Sequence, residues 1–362
     1  MRVAIAGGGT VGHVQPAIAL ARALTQEDVS FIGTANGAEA RLVPAAQFPF
    51  STIAIRGFDR ARPASLLTLG PRAAAAVVQA RALLRQSRPD VVVGMGGYVS
   101  LPVCAAARLG GTPFVIHEQN IVLGLANKLC GRFAARVAVS WEDTVQAAGP
   151  RAVFTGNPVL PEIVQLDREE RRPGALDRFG LDPSRKTLLV FGGSQGAHRI
   201  NEAAIGLARR WSDRGDRQVL HIVGPADFEA AQAGVVGGGQ LPYRIVDFLP
   251  SMLDAYSGAD LALCRGGATT VAELTTMGLP AIIVPYPFHR DRQQERHARV
   301  LQEAGAVVTL PDPKTTTRSV GDAADALFDT DGTLATMSVA CRTLSHPRAA
   351  DALAEVVREA AA

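Results

Sequence analysis

Ten short apolar runs decide what this chain can fold into. VAIAG, VSFIG, VVVGM, PFVIHE and RVAVS fall in its first half, and TLLVFGG, QVLHIVG, YRIVDF, ADLALC and AIIVPYP in its second. Each has strand length, ends at a glycine, a polar residue or a helix start, and is separated from the next by alanine-rich stretches of helical character. Strands that are apolar on both faces and alternate with helices build a parallel sheet covered on both sides. The 362 residues exceed the usual size of one core, so the expected fold class is α/β with two Rossmann-like, doubly wound parallel-sheet domains. The expected boundaries are 1–160 and 161–340, with 341–362 as a C-terminal helix packing back on the first domain. The segment LPEIVQLDREERRPGAL, residues 160–176, reads as the linker because of its prolines and its charge run.

A hydrophobic fraction of 47% against 20% charged residues, with 36 glycines and 22 prolines spread as punctuation, excludes a disordered or low-complexity chain. Cys104, Cys130, Cys264 and Cys341 lack metal-type spacing, and all but Cys341 sit in apolar sequence, so reduced core thiols and a cytoplasmic protein are expected. The stretch MRVAIAGGGT has too few apolar residues before its glycines for a signal-peptide core, and no run reaches membrane-spanning length. Membrane contact is therefore expected to be peripheral. The net charge of +3 is small but uneven: residues 56–88 hold seven arginines and one acid, Asp59, beside SLLTL and AAAAVVQARALL. Such a stretch is either an ordinary surface helix of an arginine-rich protein or a surface for anionic lipid.

The stretches AIAGGGTVGH and LVFGGSQGAH open the two halves with the same order of strand, glycine turn and helix start. This turn lets a ligand approach the backbone and aims helix N–H groups at an anion, so a ligand cleft between two domains is expected. Gly7, Gly9 and Gly12 satisfy G-x-G-x-x-G, but Gly33, Thr34 and Ala35 stand where a dinucleotide fold has an acid, which weighs against nicotinamide or flavin. His13 opens the helix VQPAIALARAL, with Pro16 in its first turn. A helix N-terminus lowers an imidazole's pKa and suits it to accept a proton, although a polar residue that merely starts a helix reads the same way. GMGGYVSLP is a third glycine turn, and HEQN, His117 to Asn120, is a polar cluster at the end of the next strand. Carboxyl ends of parallel strands are where ligands bind.

In the second half, Gly192, Gly193, Ser194 and Gly196 can cradle a diphosphate, and Thr269 and Thr270 can cap their helix or bind phosphate. Gln293 and Gln294 suit sugar hydroxyls and amides. Glu273, one turn inside the helix after ADLALC, either favours that helix's N-terminus or accepts from the cis-diol of a ribose. No Asp-x-Asp closes a strand, so no tightly bound divalent metal is expected.

GGGTVGHVQPAIALA, GMGGYVSLP, HEQN, TGNPV, GGSQGA and CRGGATTVAELTTMGLPAIIVPYP, followed by DRQQ and AGA, closely resemble the MurG family of peptidoglycan N-acetylglucosaminyltransferases, in the same order over residues 6–306. The resemblance implies the GT-B arrangement of two such domains with an interdomain cleft. It implies a UDP-N-acetylglucosamine donor held mainly by the second half and an undecaprenyl-pyrophosphoryl-muramyl-pentapeptide acceptor at the first. It also implies inverting displacement by the acceptor's 4-hydroxyl, no cofactor, no nucleic acid, and a peripheral place on an anionic membrane surface, the cytoplasmic face of the cell membrane.

Carried over by position, His13 is the general base, and Thr10, Val11, Gly12 and Asn120 face the donor sugar. Ser194, between Gly193 and Gln195, takes the diphosphate, and Leu249 meets uracil through its backbone. Arg265, Ala268, Thr269, Thr270, Val271, Ala272 and Glu273 hold phosphate and ribose, with Glu273 on the ribose, while Gln293 and Gln294 take the sugar. Gly96, Gly97, Tyr98 and Glu118 form the acceptor side. Two positions depart from the family: Leu160 follows TGNPV in place of arginine, and His297 replaces the asparagine after the glutamine pair. Compensation by Arg265, or an altered substrate, fits these departures. The alternatives are a related GT-B transferase with another sugar nucleotide or glycolipid, a silent nucleotide-binding paralogue, and an oxidoreductase.

Overall fold

The computed structural model describes residues 1–55, 65–193, 196–235 and 241–362, with residues 65–70 as backbone only. It divides into two compact units, Met1–Pro161 with His346–Ala362, and Glu162–Ser345. In the first, β1 (Arg2–Ala6), β2 (Asp28–Gly33), β3 (Phe50–Thr52), β4 (Val91–Gly94), β5 (Phe114–Glu118), β6 (Arg136–Val139) and β7 (Ala152–Phe154) form a parallel sheet in the order β3-β2-β1-β4-β5-β6-β7. In the second, β8 (Lys186–Phe191), β9 (Arg217–Ile222), β10 (Tyr243–Val246), β11 (Leu261–Cys264), β12 (Ala281–Ile283) and β13 (Val307–Thr309) follow the order β10-β9-β8-β11-β12-β13, also parallel. The three-residue strands β3, β7 and β13 have no counterpart among the ten apolar runs. All three are sheet edges, where partial exposure removes the need for a continuous apolar sequence.

The alternation along β1 assigns residues to two cores. Val3 and Ile5 pack with Val14, Ile18 and Leu20 of the helix Val11–Ala23 and with Leu353, Ala354 and Val357 of the helix Ala349–Ala361. Ala4 and Ala6 pack on the opposite face with Ala76, Ala80, Val99 and Val103. Complete burial of Leu353 and Val357 contributes about 1.5–3 kcal/mol each, which fastens the terminal helix to the first unit.

Residues 160–176 are not a free linker. They form the helix Pro161–Val164 and most of the helix Arg168–Arg178, capped by Asp167, whose Oδ1 accepts from the N–H groups of Glu169 at 3.0 Å and Glu170 at 3.1 Å. The charge run has partners within the second unit. Arg168 donates to the Tyr256 carbonyl at 3.1 Å, and Arg172 to the Gly258 carbonyl and the Asp260 carboxylate at 2.7 and 2.8 Å. They thereby satisfy carbonyls at the end of the helix Leu253–Gly258. Cys341 also departs from expectation. Its local sequence is mixed, yet its side chain is buried, with Sγ 3.4 Å from the Ala306 carbonyl, and all four cysteines are buried free thiols.

Strand order reverses between β1 and β4 in the first unit and between β8 and β11 in the second. At such a switch point neighbouring strands send their connections to opposite sides, and a crevice opens at the carboxyl ends. The glycine turns after β1, β4 and β8 and the loop before Ala268 lie at these two points.

Candidate functional site: two switch-point loops

His13 is the third residue of the helix Val11–Ala23, and its Nδ1 lies 2.9 Å from Thr10 Oγ1. The imidazole rests against the turn after β4, where Gly96 and Gly97 have φ of +86° and +73°. A Cβ at Gly96 would stand 3.1 Å from His13 Cδ2, and one at Gly97 2.7 Å from the Gly8 carbonyl, so both position and conformation require glycine. Tyr98 packs against Gly9 in the same place. Burial lowers the pKa of His13, opposed by the charge of Glu39, so the main cause is desolvation, where sequence reasoning pointed to the helix N-terminus. Pro16 is the sixth residue of its helix, an interior position, so tolerance in the first turn does not explain it.

Sequence reasoning missed Glu39. It is 1% exposed and starts the helix Glu39–Ala45 after β2. Its Oε2 accepts from the Gly9 N–H at 2.9 Å, and its Oε1 from the Thr34 N–H at 2.9 Å and Thr34 Oγ1 at 2.7 Å. A Cβ at Gly8, Gly33 or Gly37 would collide with this side chain. The signal available in the sequence was that trio of glycines around one acid. An acid does reach the first glycine loop, but it takes an amide that a dinucleotide fold leaves for pyrophosphate.

The HEQN cluster closes β5 and is largely turned inward. Glu118, 2% exposed, accepts from Asn120 N at 3.0 Å, Asn120 Nδ2 at 3.1 Å, and both Gly124 N and Asn127 Nδ2 at 2.8 Å. Burial raises its pKa against those bonds. His117 is fully buried, with Nε2 3.2 Å from the Gly156 carbonyl, and burial pushes its pKa down to about 4. Gln119 donates to the Met95 carbonyl at 2.8 Å. Asn120, half-buried, is the member of the cluster that Glu118 holds at the surface.

In the second unit Gly193 and Gly196 have φ of +91° and +75°, and a Cβ at Gly196 would stand 2.5 Å from the Val223 carbonyl. Ser194 and Gln195 lie outside the described residues. Gly267 is the N-cap of the helix Ala268–Met277, so Thr269 and Thr270 do not cap it but stand in its first turn. Val271 is buried beneath them, and Ala272 is half-buried. Glu273 is the sixth residue, beyond the reach of the helix dipole's first turn, and half-buried. Tyr256 Oη donates to its Oε2 at 2.6 Å, while burial pushes its pKa up to about 7. Arg265 Nη1 is engaged by Asp312 Oδ1 at 2.6 Å and by the Val284 and Pro285 carbonyls at 3.1 and 3.2 Å. Gln294 Oε1 accepts from Tyr286 N at 2.9 Å, and Gln293 Nε2 lies 3.2 Å from His289 Nδ1. Leu249 sits half-buried in the loop after β10.

Residues 3–139 match the glycosyltransferase family 28 N-terminal domain and residues 187–353 its C-terminal domain. The chain is 43% identical over 363 residues to a UDP-N-acetylglucosamine–N-acetylmuramyl-(pentapeptide) pyrophosphoryl-undecaprenol N-acetylglucosamine transferase of a Nocardioides species, covering 99% of this chain and 98% of the relative. It belongs to glycosyltransferase family 28. A Frankia casuarinae relative of the same name is 41% identical over 99% of this chain and 96% of its own length. The solved Acinetobacter baumannii MurG superposes with a TM-score of 0.76 at 30% identity, covering 99% of each chain.

In this family 28 chain the two departures have different surroundings. Leu160, half-buried, packs against the core of the first unit with Val153. His297 is fully buried, with Nδ1 3.0 Å from the Gly266 carbonyl, and burial pushes its pKa down to about 4. It therefore supports, as a neutral ring, the turn that leads into Glu273's helix. Arg265, expected to compensate for Leu160, has its Nη1 committed to Asp312 and two carbonyls.

Proposed function

We infer that this glycosyltransferase moves N-acetylglucosamine from UDP-N-acetylglucosamine to the 4-hydroxyl of a lipid-linked N-acetylmuramyl-pentapeptide, with inversion. The observation that carries this reading is end-to-end identity of 43% with a relative named for that donor and acceptor. In the second unit, UDP lies on the glycine turn after β8, with Glu273 on the ribose, the amides and hydroxyls from Ala268 to Thr270 on phosphate, Gln293 and Gln294 on the sugar, and Leu249 beside uracil. In the first, Gly96, Gly97 and Tyr98 border the acceptor, with Glu118 behind the loop on that side and Asn120, which Glu118 holds, facing the donor sugar.

The acceptor's 4-oxygen bonds to the anomeric carbon as the bond to UDP breaks, and its proton passes to His13. In the tautomer that carries its proton on Nδ1, 2.9 Å from Thr10 Oγ1, the neutral ring leaves Nε2 bare to accept it. UDP departs with the bonding electrons, and the helix N-terminus at Ala268 faces the charge that develops. Purified protein incubated with UDP-N-acetylglucosamine and the lipid-linked acceptor releases UDP and yields a product heavier by one N-acetylhexosamine. Turnover with another sugar nucleotide instead would favour the altered-substrate reading that Leu160 raises, and UDP binding without turnover would favour a silent paralogue.

Such an acceptor keeps its polyprenyl chain in the bilayer, so the protein works peripherally at the cytoplasmic face of the membrane. Among the described residues no helix is long and apolar enough to cross one. Of the arginines expected to meet headgroups, Arg72, Arg81, Arg85 and Arg88, the last three share a cavity of about 680 Å³ with Arg2, Asp90 and Thr112, at the amino ends of β1, β4 and β5 and so opposite the site, while Arg72 is exposed outside it. Of the segment 56–70, neither Arg56, Arg60 and Arg62 nor the leucine side chains lie among the described residues. A better-placed surface begins at the site itself. Leu125, Leu129 and Phe133, at four-residue spacing from the loop after β5, are 74%, 42% and 61% exposed, and Lys128 and Arg132 are exposed between them.

A further inference from the structure

We propose that Glu39 is a positioning residue for proton transfer at His13, holding the first glycine loop through Gly9 and supplying the negative charge that the imidazolium meets. The proposal rests on His13 being the base.

Three observations converge on it. Glu39 is buried where an acid is costly unless paired, yet its described partners are N–H and O–H donors and not a cation. Gly8, after β1, and Gly33 and Gly37, at and beyond the end of β2, leave the space its carboxyl fills. Its charge acts on His13 in the direction that favours the protonated ring, against the desolvation that disfavours it.

A tether alone does not need a charge. Beside the second glycine loop Asn201, 1% exposed, donates from Nδ2 to the Val223 carbonyl at 3.0 Å and to the Asp227 carboxylate at 2.8 Å, so the acid there is held by a side-chain amide. In the first loop the carboxylate itself accepts an amide of the turn, Gly9 N–H, and the difference matters once His13 takes a proton. As the acceptor hydroxyl gives up its proton, a cation forms in a partly desolvated place, and the charge of Glu39 stabilises it. Among the described residues, His117 on β5 interacts with the ring, and Tyr98, at the start of the helix Gly97–Gly110, packs on the same loop at Gly9. Neither is an anion while neutral, so Glu39 supplies the compensating charge.

The test compares kcat against pH, at saturating donor and acceptor, for the wild type, Glu39→Gln, Glu39→Asp, Thr34→Val and His13→Ala, with circular dichroism melts as a check on folding. Glu39→Gln is expected to lower kcat about tenfold or more, to leave the donor KM within about twofold, and to move the acidic limb of the profile to lower pH, because His13 loses a proton more readily without the charge. Thr34→Val removes one bond to Glu39 but not its charge, and is expected to lower the melting temperature while the limb stays in place. A glutamine variant with wild-type kcat and an unmoved limb overturns the proposal, as does a valine variant that shifts the limb equally. Should Glu39→Gln not fold, Glu39→Asp decides: reduced kcat at unchanged donor KM supports the role, and wild-type kinetics overturns it. Failure of the wild type to transfer the sugar, or a fully active His13→Ala, would instead strike the underlying reading.

Discussion

The two glycine turns share a sequence pattern and differ in what stands behind them. Behind the first is a buried carboxylate, Glu39, which accepts the Gly9 N–H and faces His13 with negative charge. Around the second, among the described residues, Gly196 N donates to the Gly193 carbonyl at 3.0 Å, and the nearby acid, Asp227, is engaged by side chains, accepting from Asn201 Nδ2 at 2.8 Å and lying 3.3 Å from His198 Nδ1. A strand, a glycine turn and a helix start make a favourable place for an anion only when no internal anion is already there. The first turn is thus suited to support a group that becomes positive, and the second to receive a diphosphate.

The sharpest way to break this division is at His13. With His13→Ala, turnover should fall roughly a hundredfold or more, the usual range for loss of a general base, while UDP-N-acetylglucosamine affinity stays near wild type. Calorimetry with the donor beside steady-state rates checks both halves. Near-normal turnover would assign the proton to water or another group and leave the first loop without its distinct task.

Glu273 tests the other side. Loss of a hydrogen-bonded charged group contributes about 1.5–3 kcal/mol, so Glu273→Ala should weaken UDP binding roughly 10- to 150-fold with the fold intact. Its pKa, raised to about 7 by burial, adds a pH signature. The ionised form accepts from the ribose, so UDP affinity should rise as pH increases through about 7, and Glu273→Gln should flatten that rise. Stability should move the opposite way. The folded state holds this proton above the group's ordinary range, so the contribution is complete at low pH and is lost as pH rises toward about 7. A UDP affinity that ignores pH would remove Glu273 from the ribose.

Central strands were legible because burial on both faces writes itself as an unbroken apolar run, as in VVVG of β4, whereas the edges β3, β7 and β13 carry no such mark. Motifs located the switch-point loops, since glycines with positive φ have few substitutes, as Gly96 and Gly193 illustrate. What a side chain turns toward was not legible. Glu118 also organises the loop to Gly124, Arg265 is also held by Asp312, and within the segment 160–176 that reads as linker Arg168 and Arg172 satisfy carbonyls at the end of a neighbouring helix. Glu39 was invisible because its partners, Gly9 and Thr34, come from different strand ends that only the folded sheet brings together. For Arg265, Arg172 and the Gly9 bond of Glu39 the deciding contact is distant in sequence, whereas Glu118 turns onto Asn120, Gly124 and Asn127 just after it.

The smallest expected effect separates two surfaces of the first unit, the stripe beside HEQN and the arginines at the opposite end of the sheet. A cation near an anionic bilayer contributes about 1 kcal/mol, so Lys128→Ala should lower binding to vesicles containing phosphatidylglycerol about fivefold at low salt and less at high salt. Leu125→Ser with Phe133→Ser should remove a part that salt does not screen, because it comes from apolar area. Both changes should reduce transfer to acceptor embedded in vesicles and spare transfer to a soluble short-chain acceptor. Arg85→Ala, at the amino ends of the strands, should change vesicle binding less than Lys128→Ala, since a bilayer that meets the acceptor loop lies at the carboxyl ends. If Arg85→Ala has the larger effect, the protein approaches lipid by the basic end of the long helix Ser65–Ser87, and the acceptor must reach its loop around the edge of the sheet.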